Sequence, residues 1–435
     1  MKLALLGAMT VFVVGCVFSV GGLADGRDWG DVNHYQRYGT QVMDGREPYH
    51  DFYMEYPPGA LPAFVLPATV TDGKEAGAYR FRFKLEMTLF GMAALVAAAA
   101  ILRLLGASRG RTLVALAAIA LAPAALGHVF LNRYDLVPAL LLVGSLLVLL
   151  RSRAAAGGAL LGALFAAKLF SPIALPLTAI RLRHTGGERA VVRAAAAFVL
   201  VSVLAFGYFA VTAFGGIGFS VKTQLVRHLQ SESLGASLLL AADRLGIYHA
   251  RMIFGAPGSL DLGGTVADTV GVLTTVAAIG AVLAVAAVCA RRELASEDFV
   301  VAFVATVVGF MAFSKVLSPQ YLAWLVPLVP LVRGRTGAFG SALLLICLVL
   351  TQVENYGFTG LHVSTWAVWA ILLRNVALVA LYAQLLRVTA RAPRVLGAVA
   401  AVRAREEHGA EVLVVEARRR RLARRARRQH ARVGT

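Results

Sequence analysis

Ten apolar runs of 15 to 25 residues recur along this chain, several of them parted by short arginine-rich loops. They lie at 3–23, 84–105, 112–131, 135–150, 194–214, 265–289, 299–313, 316–332, 336–353 and 365–386. About 20 apolar residues cross the hydrocarbon core of a bilayer as a helix. A further run, 154–180, is interrupted by Lys168, Ser171 and Pro172. Composition agrees: 58% of the residues are hydrophobic and only 15% charged. Soluble domains sit near 45–50% and about 25%. The pattern therefore predicts an all-α, polytopic transmembrane bundle. It excludes an array of soluble domains, a coiled coil, a collagen, a disordered chain and a disulfide scaffold.

Arginine in short loops sets sidedness. The clusters at Arg109 and Arg111, Arg151 and Arg153, Arg181 to Arg193, Arg291 and Arg292, and Arg333 and Arg335 are read as cytoplasmic. For successive clusters to share a side, 154–180 must be two short half-spans with Lys168 near the outer tip. The same parity puts 24–83 outside as one long loop, with 58–70 re-entrant or interfacial. About twelve crossings result, with both termini cytoplasmic. The 3–23 run is read as an uncleaved span, because it is longer than a typical signal h-region. Val13-Val14-Gly15-Cys16 faintly resembles a lipoprotein cleavage box, but the apolar run continues past it. Cys16, Cys289 and Cys347 all lie in apolar runs and are read as small buried hydrophobes.

Net charge is +19, and only six of the 43 basic residues are lysines. The segment 387–435 carries 14 Arg and 4 Glu. Because this tail follows the last apolar run, it is read as a cytoplasmic segment facing anionic lipid, with no nucleic-acid partner.

The other polar residues fall in six places: 25–56, Arg133 to Asp135, Lys168, Arg227 to Glu232, Lys315 to Gln320, and Glu354 to His362. All six share the outer side on the parity above, while span middles read as Ala, Leu and Val. This predicts one extracytoplasmic site roofed by the first loop. Asp25, Asp28 and Asp31 follow the first span; each is a candidate general base or a solvated loop charge. Arg133 and Asp135 are an ion pair or a phosphate contact. Lys168 is an anion ligand or a snorkelling lysine. Lys315 before Ser318-Pro319-Gln320 repeats its arrangement. Arg227 beside His228 suits bidentate contact with phosphate. The chain carries no P-loop, dinucleotide fingerprint, H-E-x-x-H or nucleophile elbow.

Six ordered motifs then carry a resemblance. They are D-V-x-x-Y (31–35), G-R-E-P-Y-H-D-F-Y-M-E-Y-P-P-G (45–59), N-R-Y-D-L-V-P-A (132–139), K-L-F-S-P (168–172), E-S-L-G-A-S-L (232–238) and K-V-L-S-P-Q-Y-L-A-W (315–324). The chain resembles glycosyltransferase family 87, whose characterised members are polyprenyl-phosphate-mannose-dependent α-mannosyltransferases. The resemblance covers about 1–386 and leaves the basic tail outside it. Ser171 is a departure, since relatives often run straight from the aromatic into proline.

The resemblance implies a GT-C-like membrane domain over 1–386 in the plasma membrane, with catalysis in the extracytoplasmic loop 24–83. It implies a catalytic Asp soon after the first helix, Asp31 by position and Asp28 as the fallback. The implied partners are a polyprenyl-phosphate-sugar donor, a glycan or glycolipid acceptor and membrane lipids. Arg227, His228, Lys168, Lys315 and Arg133 are assigned to the donor phosphate. Tyr35, Glu55, Tyr56, Asp135, Glu232 and Gln320 are assigned to the substrate lining. No cofactor and no metal ligand is assigned, with divalent metal left open. A lipid-linked-sugar flippase and a non-catalytic assembly partner are the rival readings.

Overall fold

In a computed structural model of the protein, residues 2–27, 29–71, 75–255, 258–290 and 292–391 are described. Asp28 and the tail from 392 onward lie outside them. The protein is an all-helical polytopic bundle. Among the described residues, sixteen α-helices run in order. They are α1 (Lys2–Phe18), α2 (Val32–Met43), α3 (Leu61–Thr71), α4 (Ala76–Leu104), α5 (Arg109–Leu126), α6 (His128–Leu131), α7 (Leu136–Leu150) and α8 (Ala154–Ala167). Then follow α9 (Leu175–Thr212), α10 (Phe214–Leu225), α11 (Leu234–Arg244), α12 (Thr265–Cys289), α13 (Ser296–Phe313), α14 (Leu322–Leu325), α15 (Gly334–Glu354) and α16 (Thr365–Arg391). Seven of them, α4, α5, α9, α12, α13, α15 and α16, are long and apolar enough to cross a membrane. α1, α3, α7 and α8 are shorter apolar helices.

α13 is the core helix. Its stretch Phe299 to Val308 is apolar but for Thr306, and every side chain there is buried. A helix apolar all round needs cover on every side, which α12 and α16 help to provide. α9 is the opposite case. Val199, Val203, Leu204 and Val211 stay exposed, as expected of a face turned to lipid.

The expected break and reversal at Lys168 are present. α8 ends at Lys168, a 3-10 turn (Ser171–Ala174) reverses the chain, and α9 runs back to a kink at Gly187 (φ 68°) before returning. α8 and α9 pack closely because glycines line their contact. A Cβ at Gly158 would stand 1.9 Å from the Ala194 carbonyl oxygen, and one at Gly162 would stand 2.6 Å from that of Phe198. This is the small-xxx-small device of membrane helices.

One expectation changes. The run 316–332 is not a continuous helix. It is a chain of short turns: a 3-10 turn at Pro319–Tyr321, then α14, then a 3-10 turn at Val329–Leu331. Pro319, Pro327 and Pro330 deny the backbone donors a helix needs. Such backbone is tolerated at membrane depth only inside protein, and Leu322 to Leu325, Leu328 and Val329 are all buried.

The arginine loops meet one another. Arg111 pairs with Glu297 and donates to the Leu331 carbonyl; Arg181 donates to the Leu294 carbonyl. Arg333 pairs with Asp298 at 2.9 Å, and Arg292 donates to the Thr389 and Ala390 carbonyls. Two small antiparallel sheets complete the fold. One has the order β1 (Leu229–Gln230), β3 (Leu260–Gly263), β2 (Arg251–Phe254); the other joins β4 (Phe358–Thr359) to β5 (His362–Val363).

The glycine contact is testable. We predict that Gly158→Leu lowers the thermal midpoint of the purified protein by several degrees, since overpacking costs about 1–3 kcal/mol. Gly280→Ala on α12, where a Cβ meets nothing within 4 Å, should hold or raise it. Equal midpoints for the two variants would refute the close packing.

Candidate active site

A cavity of about 590 Å³ takes lining residues from all six polar places. The first loop supplies Asp31, His34, Glu55 and Tyr56; the 132–135 turn supplies Arg133 and Tyr134; and Lys168 follows. Arg227 and Gln230 to Glu232, then Lys315 and Ser318 to Tyr321, then Asn355 and Phe358 complete the ring.

Asp31 stands at the N-terminus of α2 but caps no backbone N–H. Its carboxylate faces Arg133 Nη1 at 3.3 Å and accepts from Tyr56 Oη at 3.3 Å. The close approach needs Gly30 (φ 69°), where a Cβ would collide with the Arg133 guanidinium at 1.8 Å. Tethers hold the preceding loop. Asp25 accepts from the Gly21 amide, the Trp29 indole and Arg27, whose guanidinium holds its carboxyl well below the usual range. Lys84 Nζ donates to the Gly22 and Asp25 carbonyls, and Trp29 stacks on His128 at 4.5 Å. Asp25 is thus a loop brace, and Asp28 lies outside the described residues.

Lys168 is neither a snorkelling lysine nor an unpaired cation. Its Nζ meets Asp135 Oδ1 at 2.5 Å, and the rings of Tyr321, Tyr134 and Trp324 surround it at 4.5, 4.8 and 5.2 Å. Trp324 Nε1 donates to the same Asp135 oxygen at 2.8 Å, and Phe170 stacks on Trp324 at 4.0 Å. Asp135 itself lies behind the cavity wall.

On the other wall, Arg227 Nη2 lies 3.8 Å from Glu55 Oε1. Gln224 and Ser220 donate to the Glu55 main-chain carbonyl. Burial pushes the Glu55 carboxyl up, and Arg227 pulls it back. Lys315 joins this wall: its carbonyl accepts from the Gln230 amide, and its Nζ donates to the Leu225 carbonyl at 3.3 Å. His228 turns away. It lines a separate 330 Å³ pocket with Arg227 and lies 3.5 Å from Asp268 on an exposed surface. Tyr35 also lies off the cavity, buried behind Tyr56 and stacked on Phe64 at 4.3 Å. Gln320 and Glu232 line it.

Sequence reasoning missed the polar node behind Glu232. Arg374 and Glu354 form a fully buried ion pair. Arg374 Nη2 and Asn375 Nδ2 both donate to the Glu232 main-chain carbonyl, at 2.5 and 3.1 Å. The signal was available, because Arg374 interrupts an apolar span and such a charge demands a partner. The statement that span middles are only Ala, Leu and Val is corrected here. His34, Tyr134, Tyr321 and Trp324 were likewise not assigned to the site. Among the described residues, no three His, Cys, Asp or Glu side chains are grouped to hold a metal ion.

The arrangement offers a carboxylate at the cavity, cations for an anion, and an apolar margin. The family model for glycosyltransferase family 87 matches residues 53–300, more than half of the chain. No curated protein matches the chain. Among solved structures, an Archaeoglobus fulgidus oligosaccharyltransferase tethered to an acceptor peptide is similar at 12% identity and a TM-score of 0.40. That similarity covers 90% of this chain and 55% of that one, so the chain spans about half its length. The family match is what decides: the chain belongs to glycosyltransferase family 87.

Proposed function

We propose that the protein transfers a hexose from a polyprenyl-phosphate donor to a glycan or glycolipid acceptor at the extracytoplasmic face of the plasma membrane. Mannose is the sugar that the resemblance to characterised family members favours. The observation that carries the reading is the make-up of one cavity. Its cationic wall, with Arg227 and Lys315, is continuous with an apolar lobe of Ile173, Leu225, Ala278, Ile279 and Phe310. Leu225 and Ile279 are themselves more than half exposed on the bundle surface. A phosphate joined to a long hydrocarbon chain suits that pair of surfaces, and a soluble nucleotide sugar does not. Sidedness is supported by the arginine loops, which meet each other away from the cavity.

In this mechanism Asp31 takes the proton of an acceptor hydroxyl. The oxygen attacks C1 of the sugar as the C1–O bond to phosphate breaks. The electron pair leaves with polyprenyl phosphate, whose charge Arg227 and Lys315 stabilise. Inversion of a β-linked donor gives an α-linked product. Arg133 and Tyr56 orient the Asp31 carboxylate. Lys168, already paired with Asp135, is assigned to holding the wall rather than to the phosphate, and His228 takes no part in the reaction.

Two predictions follow from these roles. With purified protein in lipid, radiolabelled polyprenyl-phosphate-mannose and a membrane extract as acceptor source, Asp31→Asn should lower transfer at least about 100-fold. Transfer that survives the change would move the base to Asp28 or Glu55. No transfer by wild type from mannose or glucose donors would favour a transporter or assembly role. For the wall, Asp135→Asn and Lys168→Met should each destabilise the protein by about 3–5 kcal/mol, because each strands a buried partner. The double variant should lose clearly less than the sum in thermal unfolding. Additive losses would return Lys168 to the list of phosphate ligands.

A further inference from the structure

The carboxylates that line the cavity are not equivalent. Asp31 faces Arg133, and Glu55 faces Arg227. Glu232 forms no ion pair among the described residues. The side-chain hydrogen bond it receives comes from an amide, Gln230 Nε2, at 3.4 Å. Ser318 in turn fixes that amide, accepting from Gln230 Nε2 at 3.0 Å and donating to its Oε1 at 3.2 Å. The same cavity is lined by neutral polar side chains, Ser231, Ser259, Ser318, Gln320 and Asn355. Hydroxyls and amides both donate and accept, which matches the hydroxyls of a sugar and not a phosphate.

The main chain at Glu232 is held from behind by two side-chain donors. Two buried donors of α16, Arg374 and Asn375, converge on its carbonyl oxygen, and Asn375 also donates to Ser237 Oγ at 3.1 Å. Glu354 fixes Arg374 in turn. The Glu232 carboxyl makes no hydrogen bond to this clamp; its hydrogen bond comes from Gln230.

We propose that Glu232 reads the sugar of the donor, its carboxyl, free of any ion pair among the described residues, hydrogen-bonding a sugar hydroxyl, with Arg374 and Asn375 as the residues that position it. The inference rests on the reading of the cavity as a glycosyl-transfer site, and it assigns the sugar subsite within it. Burial also pushes the Glu232 carboxyl up, against the pull of Arg374 and Arg133. A site built to hydrogen-bond a hydroxyl discriminates strongly against ligands that lack it, because its polar groups are left unpaired.

The test is a binding measurement on the full chain in lipid nanodiscs. Polyprenyl phosphate is compared with polyprenyl-phosphate-mannose, -glucose and -galactose, each competing with a fluorescent polyprenyl phosphate. Wild type should bind at least one sugar-bearing lipid about tenfold more tightly than the sugar-free lipid. Glu232→Ala should close that gap while leaving affinity for the sugar-free lipid unchanged. That second affinity also reports that the variant is folded. Glu232→Gln, which still accepts a hydrogen bond, should keep most of the gap. A gap that persists in Glu232→Ala would overturn the proposal. So would an equal loss for both kinds of lipid, or the absence of any gap in wild type. Wild type binding none of the four lipids would instead overturn the lipid-donor reading, and this assignment with it. Asp31→Asn, which tests the chemistry, should leave the binding gap in place.

Discussion

Cations at Arg133, Lys168, Arg227 and Lys315 and carboxylates at Asp31, Glu55 and Glu232 surround one cavity. A charge moved from water into a helical bundle costs several kcal/mol unless its opposite is close. That requirement ties distant parts of the chain together. Asp31 in the first loop meets Arg133, Glu55 meets Arg227, and Lys168 meets Asp135 across two helix junctions. Each pair joins segments far apart in sequence, so the loop cannot lift off the bundle without exposing two charges to a poor environment. The cavity is thus the place where the chain's desolvated charges are reconciled. Its shape follows from pairs that must form together.

Broken backbone serves the same end. Lys168 to Pro172 and Lys315 to Pro319 both read K-x-x-S-P, and in both the proline opens a 3-10 turn. Proline at the start of a turn gives up only an N–H that would lack a partner there anyway. The breaks let backbone and lysine ammonium groups approach the cavity from helices that would otherwise pass it by. Phe170 of the first segment then stacks on Trp324 of α14, which follows the second. Bilayer physics permits such breaks only where protein covers them, which explains why Leu322 to Leu325 are so thoroughly buried.

Much of this was legible in the sequence. Hydropathy gave the apolar runs, and arginine placement forced the reversal at Lys168 that α8 and α9 display. The six polar places converge because polar residues left over from lipid-facing helices have few other sites to occupy. What stayed hidden depended on geometry finer than residue type. Nothing in the pair Arg227-His228 says which side chain turns inward, because adjacent residues in an extended segment point to opposite sides. Arg227 faces the cavity and His228 faces Asp268. The 316–332 run looked like a span because hydropathy averages over prolines whose effect is local. Asp25, Asp28 and Asp31 are equivalent as residue types, and only contacts separate a loop brace from a carboxylate aimed at a cavity.

The family match ends at residue 300, yet the cavity does not. Lys315, Ser318, Gln320, Tyr321, Trp324 and Asn355 all line it, and α16 holds Glu232 from behind. The matched region alone would leave Gln230 without Ser318, Lys168 without two of its three aromatic neighbours, and Glu232 without its clamp. Each is a desolvated polar group whose partner lies beyond the matched segment, and each would be costly unpaired. The stretch from Lys315 to Asn375 therefore belongs to the same cavity as the first loop. Arg374, remote from the matched residues in sequence, braces the cavity wall through the Glu232 carbonyl.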